Sequence, residues 1–343
     1  MKNINILFVQ FHEKIGGGER YLINVIEALP AEYNVFLLTP NNSCELKNNI
    51  KRNFLSLSYR FKRTIGPFPR FSLGLNLFLR KVIKENNIDI VHVNEGYILP
   101  SFYLLKTKLV FTSHGRWDTY FWISRFILKT LNPITLSSTS TQLKRLESLV
   151  DNVNLMPFFN LFDPIKLKKF KENNFDLGIV ARFSTVKNHK LAFQIARSSK
   201  KILHIYGGRT LATIDEPSSY EEELISIINK DVNLIHHGFE SDLDKIYKKI
   251  DILLITSDQE SFGMVAIEAL SYGIPILSTL TEGSVDIINQ GKNGFICKDI
   301  DDFCVKIDRV SKNYSFFSEN AHKSAKKYIK DEYINRLKEI YKN

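Results

Sequence analysis

The sequence predicts an α/β protein with two parallel-sheet units in tandem, and three observations lead to this fold class. The chain has 343 residues, the length of about two domains at roughly 150 residues each. Short apolar runs are repeatedly followed by segments with helical spacing, the order typical of parallel sheets covered on both faces. This series starts again near Phe175. With 44% hydrophobic and 24% charged residues, a disordered chain, a collagen and a disulfide scaffold are excluded.

The first series of elements begins with the apolar run Ile4–Val9, which is predicted as a strand. Glycines follow at positions 16–18, and apolar residues then recur at helical spacing up to Pro30, which cannot continue a helix. The further strands predicted in this half are Asn34–Leu38, Ile88–Val93 and Leu109–Ser113.

A second series follows, with a helix predicted at Lys190–Ser198. Its predicted strands are Asp176–Val180, Ile202–Tyr206, Val232–His236, Asp251–Ile255, Ile274–Ser278 and Gly294–Cys297. Between the series, Pro157 and Pro164 bracket an irregular stretch. We therefore expect one domain at 1–160, a second at 161–318, and a Lys-rich helical segment at 319–343 that packs back towards the first. Tandem units of this kind normally leave a cleft at the carboxyl ends of their strands.

Cysteine usage and hydropathy favour a cytoplasmic protein. The three cysteines, Cys44, Cys297 and Cys304, are odd in number and lack CxxC spacing, which argues against disulfides and a zinc site. The N-terminal apolar run is too short for a signal-peptide core, and no 18 consecutive residues are apolar. Any contact with a membrane is therefore expected at its surface.

The net charge of +10 is concentrated in the N-terminal half. Residues 1–160 contain 20 basic and 11 acidic side chains, whereas residues 161–343 contain 27 and 26. An anionic partner that meets only the first half is the simplest explanation.

A glycine run, Gly16-Gly17-Gly18-Glu19, lies between the first strand and its helix. Glycine lets the backbone approach a ligand closely, and a helix N-terminus presents free N–H groups to an anion. A tight turn with no ligand explains the run equally well. The dinucleotide fingerprint GxGxxG is excluded because Tyr21 stands where its third glycine would be.

Two cations, Arg182 and Lys187, follow the predicted strand Asp176–Val180. At the carboxyl end of a parallel strand they suit a diphosphate. A solvated surface pair is the alternative.

The segment Asp258–Ala269 (DQESFGMVAIEA) follows another strand and opens a helix. Glu260 is expected in the loop and Glu268 inside the helix, where carboxylates can accept hydrogen bonds from sugar or ribose hydroxyls. Backbone N–H groups at 262–264 would point towards a phosphate. A helix cap plus a solvated glutamate is the alternative, although Glu268 lies among apolar residues, where a charge usually has a partner.

The stretch QESFGMVAIEALSYGIPIL resembles the E-x7-E signature of the retaining GT-B glycosyltransferases of family 4. IVARFSTVKNHKLAFQIA is similar to their diphosphate segment, with Ala181 where glycine is common. HIYGG, LIHHGFESDLDKIYKKIDILLITS, the glycine loop and His114 also have counterparts. The resemblance implies two Rossmann-like domains that face each other across a cleft, an N-terminal one for the acceptor and a C-terminal one for a nucleotide sugar. It is strong from about 175 to 298 and weak from 40 to 105, and the linker lacks the usual Asn-Gly pair.

The resemblance implies a role for each matching residue. Arg182 and Lys187 would neutralise the departing diphosphate, Glu260 would contact the donor sugar, Glu268 would bind the ribose, and His114 would lie near the anomeric carbon. The implied catalytic residues are His114, Arg182, Lys187 and Glu260. The implied donor-binding residues are Gly17, Gly18, Arg182, Lys187, Gly207, Phe239, Glu260, Phe262, Gly263, Met264 and Glu268.

The implied reaction moves a hexose or N-acetylhexosamine from a nucleotide sugar, with a UDP-sugar favoured over a GDP-sugar, to a glycan acceptor. The acceptor would be a lipid-linked or cell-surface polysaccharide precursor. Departure and attack on one face of the donor would retain the anomeric configuration, so neither glutamate is expected to be a nucleophile. No metal or other cofactor is expected, because the sequence has no Asp-x-Asp motif and the two cations can do a metal's work.

One window between Glu45 and Glu85 contains no acidic residue and ten basic ones, with aromatic residues interleaved. Family members that act on lipid-linked acceptors often dock to the anionic inner leaflet through this domain, so we expect peripheral attachment to the inner face of the plasma membrane. The residues predicted to meet the membrane or acceptor are Arg60, Lys62, Arg63 and Arg70. A solvated helix face with core aromatics is the alternative. No RNA-binding motif supports a nucleic-acid partner.

Three alternatives to this transferase stay open at the level of sequence. One is a non-catalytic nucleotide-sugar-binding protein of the same fold. Another is a transferase that modifies proteins or teichoic acids, and a third is a sugar-nucleotide epimerase, against which the E-x7-E placement argues.

Overall fold

The computed structural model describes residues 3–12, 15–40, 44–60, 69–162, 164, 175–208 and 218–342. The chain divides into two compact units, Phe159–Ile329 and a first unit that joins Met1–Phe158 to Lys330–Asn343. The C-terminal segment of the chain therefore belongs to the same unit as its N-terminal half.

The first unit is built on a parallel sheet of seven strands with the order β3-β2-β1-β4-β5-β6-β7. Its strands are β1 Ile4–Val9, β2 Tyr33–Thr39, β3 Leu55–Ser58, β4 Ile90–Val93, β5 Lys108–Ser113, β6 Ile134–Ser137 and β7 Val153–Leu155. Its α-helices are α1 Gly17–Ala28, α2 Cys44–Asn48, α3 Leu73–Glu85, α4 Trp122–Leu131, α5 Ser140–Leu146 and, from the chain end, α13 Lys330–Lys342. Two 3-10 segments, Gly96–Phe102 and Arg116–Thr119, complete it.

The second unit has a parallel sheet of six strands with the order β10-β9-β8-β11-β12-β13. Its strands are β8 Leu177–Val180, β9 Leu203–Tyr206, β10 Leu234–Gly238, β11 Ile252–Ile255, β12 Ile276–Ser278 and β13 Gly294–Ile296. Its α-helices are α6 His189–Ser199, α7 Ser218–Ile228, α8 Leu243–Tyr247, α9 Met264–Ser271, α10 Glu282–Ile287, α11 Ile300–Lys312 and α12 Tyr314–Ala325.

The strands are short and almost entirely apolar because both faces of each sheet are covered. All four residues of β4 and all four of β11 are buried. Burial of each leucine or isoleucine contributes about 1.5–3 kcal/mol. Because adjacent strands are parallel, their carboxyl ends lie at one edge, where polar loops gather.

The predicted fold class is confirmed, and each strand predicted from an apolar run is present within about two residues of its predicted ends. The strands β3, β6 and β7 were not predicted. The segment at 319–343 that was predicted to be helical contains parts of two helices, because the chain leaves the α-helical conformation between Ala325 and Lys330. There Ile329 adopts extended backbone and pairs with Asn160, whose N–H donates to the carbonyl of Tyr328 at 2.9 Å.

Candidate active site

In the second unit, the loop after β8 carries Arg182 and Lys187. Arg182 is exposed and has neither an ion pair nor a hydrogen bond from its side chain within the described ranges. Lys187 ends a 3-10 turn, and Asn188 then takes up a left-handed conformation (φ 47°) from which its side chain accepts a hydrogen bond from the N–H of Leu191. This cap ends the loop and starts α6 at a fixed residue.

Lys187 reaches across to the loop after β11 and forms an ion pair with Glu260. Their side chains are only 20% and 18% exposed, respectively, so the pair is partly shielded from water. The hydroxyl of Ser257 lies 3.4 Å from the same carboxylate oxygen. The two residues that sequence reasoning drew from different motifs are thus in direct contact.

The loops that carry Lys187 and Glu260 are fastened to each other through the backbone. Thr256 donates its hydroxyl to the carbonyl of Lys187 at 3.0 Å, and the N–H of Asp258 donates to the carbonyl of Val186 at 2.9 Å. The strands β8 and β11 are neighbours, so these bonds extend the sheet pairing into the loops. The ion pair is therefore held by a rigid frame.

Gly263 sets the direction in which α9 leaves this loop. Its φ of +94° lies in the region that favours glycine. Phe262, 3% exposed, packs edge-on against Tyr328 and anchors the backbone before the helix. Within the part of the chain that the structure describes, no side chain caps the N-terminus of α9, so the first N–H groups, beginning at Met264, can serve an anion.

Glu268 lies within α9 and is buried at 8% exposure. Tyr247 donates its hydroxyl to Oε2 of Glu268 at 2.8 Å and is itself fully buried. Tyr247 thereby fixes one carboxylate oxygen and orients the other. The sequence signal for Tyr247 was its place in the α8 segment ahead of the E-x7-E motif, which the motif itself does not include.

Of the other two donor-binding residues predicted in the second unit, Gly207 lies next to the Arg182 loop, whereas Phe239 lies farther away. A Cβ on Gly207 would lie 2.1 Å from the carbonyl oxygen of Ala181, and its φ is +118°, so Gly207 packs directly against the loop that carries Arg182. Phe239 follows the outer strand β10 and is 79% exposed. The strands β9 and β8 lie between β10 and β11, a separation of roughly 14 Å from the Glu260 loop.

In the first unit the glycine loop and His114 are neighbours. The carboxylate of Glu19 accepts the N–H of Gly16 at 2.9 Å and closes the first turn of α1. A Cβ on Gly18 would lie 3.4 Å from the imidazole of His114, whereas one on Gly17 would meet no described atom within 4 Å. Among the described residues, the side-chain position of Gly18 therefore packs against His114 and that of Gly17 has no neighbour.

Asn94 determines which ring nitrogen of His114 carries the proton. Its amide nitrogen donates to Oε1 of Gln10 at 2.6 Å and to the carbonyl of Gly18 at 3.2 Å. Its Oδ1 therefore faces Nε2 of His114, 2.6 Å away, and accepts the proton there. Nδ1 of His114 is buried and has no hydrogen-bond partner in the described ranges, so it presents a lone pair.

Burial lowers the pKa of His114 to about 4, which keeps the imidazole neutral at pH 7. Asp118, which accepts the backbone N–H of His114 at 2.9 Å, has its pKa raised by burial to about 6. Gln10 and Asn94, which tie His114 to Glu19, were missed by sequence reasoning. Polar residues directly after the buried strands β1 and β4 were the available signal.

Two family profiles match the chain. "Glycosyltransferase Family 4" matches residues 15–146, and "Glycosyl transferases group 1" matches residues 163–331. Together they span both units. The chain belongs to the family 4, group 1 glycosyltransferases. It is therefore a glycosyltransferase of the GT-B fold, with two Rossmann-like units.

One curated protein and two solved structures show how similar this family 4 glycosyltransferase is to known proteins. The O-antigen biosynthesis glycosyltransferase WbnH of Escherichia coli is 24% identical over 357 residues, which cover 99% of each chain. Anabaena HepE, solved with UDP and glucose, superposes with a TM-score of 0.78 at 18% identity and covers 99% of this chain and 100% of its own. A Rickettsia africae glycosyltransferase gives a TM-score of 0.81 at 19% identity, with 100% and 98% covered. At these identities the two structures show the fold alone.

The predicted membrane residues of this glycosyltransferase are only partly described. Lys62 and Arg63 lie outside the described residues, Arg60 is exposed and Arg70 is half-buried. Other members of the acid-free window have structural roles: Arg52 donates to the carbonyls of Leu29, Pro30 and Tyr33, and Tyr59 and Phe78 pack against the core.

The described ranges contain neither a helix long and apolar enough to cross a bilayer nor a group of three or more His, Cys, Asp and Glu side chains placed to hold a metal ion.

Proposed function

We propose that this glycosyltransferase moves a hexose or N-acetylhexosamine from a UDP-sugar to a glycan acceptor with retention of anomeric configuration. The observation that carries the proposal is the Lys187–Glu260 ion pair, together with exposed Arg182 on the same loop as Lys187. It places two cations and one carboxylate at the carboxyl ends of β8 and β11, next to the uncapped N-terminus of α9. This arrangement suits a diphosphate joined to a hydroxyl-rich sugar.

Each polar group has a distinct task in this proposal. Arg182 and Lys187 stabilise the charge that develops on the departing diphosphate, and Phe262, Gly263 and Met264 add backbone N–H groups. A preorganised donor of this kind typically accounts for about 10²–10³ in kcat. Positive charge from the protein makes a divalent metal unnecessary.

The carboxylates select the two ends of the donor. Glu268, oriented by Tyr247, accepts hydrogen bonds from the ribose hydroxyls, and Glu260 accepts them from the sugar. In the first unit, the backbone at Gly17 and Gly18 approaches the phosphates, and the imidazole of His114 contacts the sugar near its anomeric carbon. Gly207 supports the Arg182 loop from beneath, and Phe239 contributes to the base end of the donor site.

Uridine is the favoured base, because HepE was solved with UDP and with UDP-glucose. GDP-sugars are the alternative. A thermal-shift panel of UDP-, GDP- and ADP-sugars tests the choice, and the largest rise in Tm is expected with a UDP-sugar. A larger rise with a GDP-sugar would overturn the base assignment and leave the reaction class intact.

Retention follows if the acceptor attacks from the face that the diphosphate leaves. Glu260, paired with Lys187, is then a sugar ligand and not a nucleophile. Proton NMR of the product made from a UDP-α-sugar should show the small anomeric coupling of an α-glycoside. A β-linked product would contradict the proposal.

The acceptor proposed is a lipid-linked or cell-surface polysaccharide precursor at the inner face of the plasma membrane. WbnH, which aligns end to end with this chain, is named for O-antigen biosynthesis. The basic excess of the N-terminal half supports an anionic surface as partner.

Charge reversal at Arg60, Lys62 and Arg63 should weaken binding to anionic liposomes and leave donor hydrolysis unchanged. Unchanged liposome binding would contradict a role for the acid-free window between Glu45 and Glu85 in membrane docking.

Donor hydrolysis tests the transferase chemistry itself. UDP release should fall by at least about 100-fold in Lys187→Ala and by a comparable factor in Glu268→Ala. Lys190→Ala is the matched control, because Lys190 lies three residues after Lys187, is more exposed and pairs with Glu223 of α7. This variant should hydrolyse the donor normally. Tight nucleotide binding without turnover on any donor would overturn the proposal.

A further inference from the structure

Helix α4 in the first unit turns aromatic and basic side chains to solvent. Trp122, Arg125, Phe126 and Lys129 are exposed and recur at i, i+3, i+4 and i+7, so they form one stripe along the helix. The opposite stripe contains Ile127 and Leu128, which are buried in the core. The helix is therefore amphipathic in an unusual sense, since its outer face also carries large apolar rings.

The turn before α4 adds two more exposed rings to this surface. Tyr120 is 73% exposed and Trp117 46%, compared with 78% for Trp122 and 59% for Phe126. The chain has only two tryptophans, and both lie here. Clustered exposed aromatics are unusual on a surface that meets only water, and mark an interaction site. We call Trp117, Tyr120, Trp122, Arg125, Phe126 and Lys129 the α4 surface.

The charge of this segment has one sign. Between Glu95 and Glu147 the only acidic residue is Asp118. Asp118 is buried and accepts hydrogen bonds from the hydroxyl of Ser113 and the N–H of His114, so it does not offset Arg125 or Lys129 at the surface. The next carboxylate that the structure ties to the helix, Asp151, bonds to Asn132 beyond its C-terminal end.

We propose that the α4 surface docks on an anionic lipid bilayer. Tryptophan and tyrosine rings fit the headgroup region because one part of each ring system is apolar and another is polar. Arginine and lysine between the rings meet lipid phosphates, and a helix that lies along the interface uses this combination. We choose an anionic bilayer over a protein or a neutral glycan because the positive charges of Arg125 and Lys129 complement the negative charge of lipid phosphates.

This inference rests on the proposed function, which names an anionic membrane as a partner. It adds the surface of the first unit that would contact that membrane. It is separate from the 45–85 window, in which Arg52, Tyr59 and Phe78 have structural contacts. Docking through α4 would hold the first unit at the leaflet that contains a lipid-linked acceptor.

Intrinsic fluorescence tests the inference directly, because both tryptophans lie in the α4 surface. The full-length protein is mixed with phosphatidylcholine vesicles that contain phosphatidylglycerol, without donor or acceptor. The emission should shift to shorter wavelength and be quenched by shallow doxyl-labelled lipid. Vesicles of phosphatidylcholine alone should produce little change. Unchanged emission with anionic vesicles, or equal binding to both compositions, would overturn the proposal.

Two variants separate charge from insertion. Arg125→Glu with Lys129→Glu should lower vesicle partitioning roughly tenfold or more, and Trp122→Ala with Phe126→Ala should lower it and weaken the remaining emission shift. The matched controls are Lys326→Glu with Lys327→Glu, and Phe316→Ala, which change exposed residues of the second unit and should bind as the native protein does. Native-like binding by both α4 variants would overturn the proposal.

Other occupants have their own outcomes, each of which overturns lipid docking. Self-association that the aromatic variant abolishes would assign the surface to a second copy. A fluorescence change with soluble oligosaccharide but not with vesicles would assign it to the acceptor glycan. A different result would separate the two proposals: native protein that binds anionic vesicles but releases no UDP from any UDP-sugar would contradict the proposed reaction and support lipid docking.

Discussion

The ion pair between Lys187 and Glu260 should affect how tightly the protein binds UDP. Each neutralises the other in a partly shielded position, so the diphosphate of the proposed donor would compete with the carboxylate of Glu260 for Lys187. Glu260→Gln removes that competition and keeps the size of the side chain. We expect UDP to bind as tightly as before or more tightly, while transfer falls about 10- to 100-fold through loss of charge-assisted bonds to the sugar.

Isothermal titration with UDP and initial transfer rates separate these effects. Lys187→Ala is the paired variant and should weaken UDP binding and transfer together. If Glu260→Gln lost UDP affinity to the same degree as Lys187→Ala, the division of labour between the two side chains would be wrong.

Asn94 is predicted to be a positioning residue that keeps His114 neutral with a free lone pair on Nδ1. In Asn94→Asp, a carboxylate placed 2.6 Å from Nε2 should raise the pKa of His114 by roughly one to three units from its lowered value. Protonation at Nδ1 then removes the acceptor. The acid limb of the kcat/KM profile should move to higher pH, whereas Asn94→Ala should lower the rate without that movement.

Asn76→Asp is the control, because Asn76 is a buried asparagine of the same unit that donates to the carbonyls of Ser101 and Tyr103. It places a carboxylate in the core away from His114. An acid limb that stays at the same pH in Asn94→Asp, or that moves equally in Asn76→Asp, would contradict the role given to Asn94.

The sequence predicted which residue types form the site and left their partners undetermined. Lys187 and Glu260 are 73 residues apart, and their pairing depends on β8 and β11 being neighbours, which no local pattern shows. Tyr247 and Asn94 act through hydrogen bonds to Glu268 and His114. Such contacts arise from tertiary packing and have no periodic signature.

At the scale of elements, Gly207, which follows β9, and Gly17, the first residue of α1, should respond differently to substitution by alanine. Gly207→Ala forces a Cβ to within 2.1 Å of the carbonyl of Ala181 at a φ of +118°, so β9 must part from the Arg182 loop. We expect a loss of stability of about 1–3 kcal/mol and weaker diphosphate binding.

Gly17→Ala is the matched case, because its Cβ would meet none of the atoms that the structure describes within 4 Å and its backbone is helical. Its stability should be unchanged or slightly higher, so any fall in transfer reports close approach of a ligand to that backbone. Denaturant unfolding and transfer rates check both variants. A destabilised Gly17→Ala would contradict the packing, and a fully active one would remove Gly17 from the donor site.

Elements with strong apolar runs were predictable and weakly patterned ones were not. Ile4–Val9 is a strand with the predicted ends. By contrast, β3 (LSLS) has no buried residue and offers no buried-strand signal to a sequence reader. The helical period continues through residues 326–329, but a 3-10 turn and the bridge from Ile329 to Asn160 interrupt it, and only tertiary structure shows that.

At the scale of the whole chain, the location of charge matters more than its amount. In the proposed donor site of the second unit, Arg182 and Lys187 are the two cations assigned to the diphosphate, and the nearly neutral balance of that half agrees with so small a number. The excess of basic residues lies in the first unit, and its described surface includes Arg125 and Lys129 on α4.

At the scale of the whole molecule, the buried histidines make the free energy of unfolding depend on pH in the acid range. Burial lowers the pKa of His92 to about 3 and those of His114 and His189 to about 4, against about 6.5 in the unfolded chain. Between these values the unfolded chain binds more protons, so stability falls as the pH falls through the window from 6.5 to 4. The pKa of Asp118, raised by burial to about 6, acts in the opposite direction and offsets one histidine of the first unit.

The first unit therefore retains one uncompensated histidine and should lose about 1.4 kcal/mol per pH unit between about pH 6 and pH 4. The second unit should lose at least as much, because the pKa of His237 as well as that of His189 is lowered to about 4. Urea unfolding across this range measures the slope. His92→Gln should flatten it in the first unit, since a glutamine can replace hydrogen bonds to Thr112 and Tyr341 without binding a proton. Stability that rises on acidification would mean that the raised pKa of Asp118 outweighs the histidines, and would reverse the predicted dependence on pH.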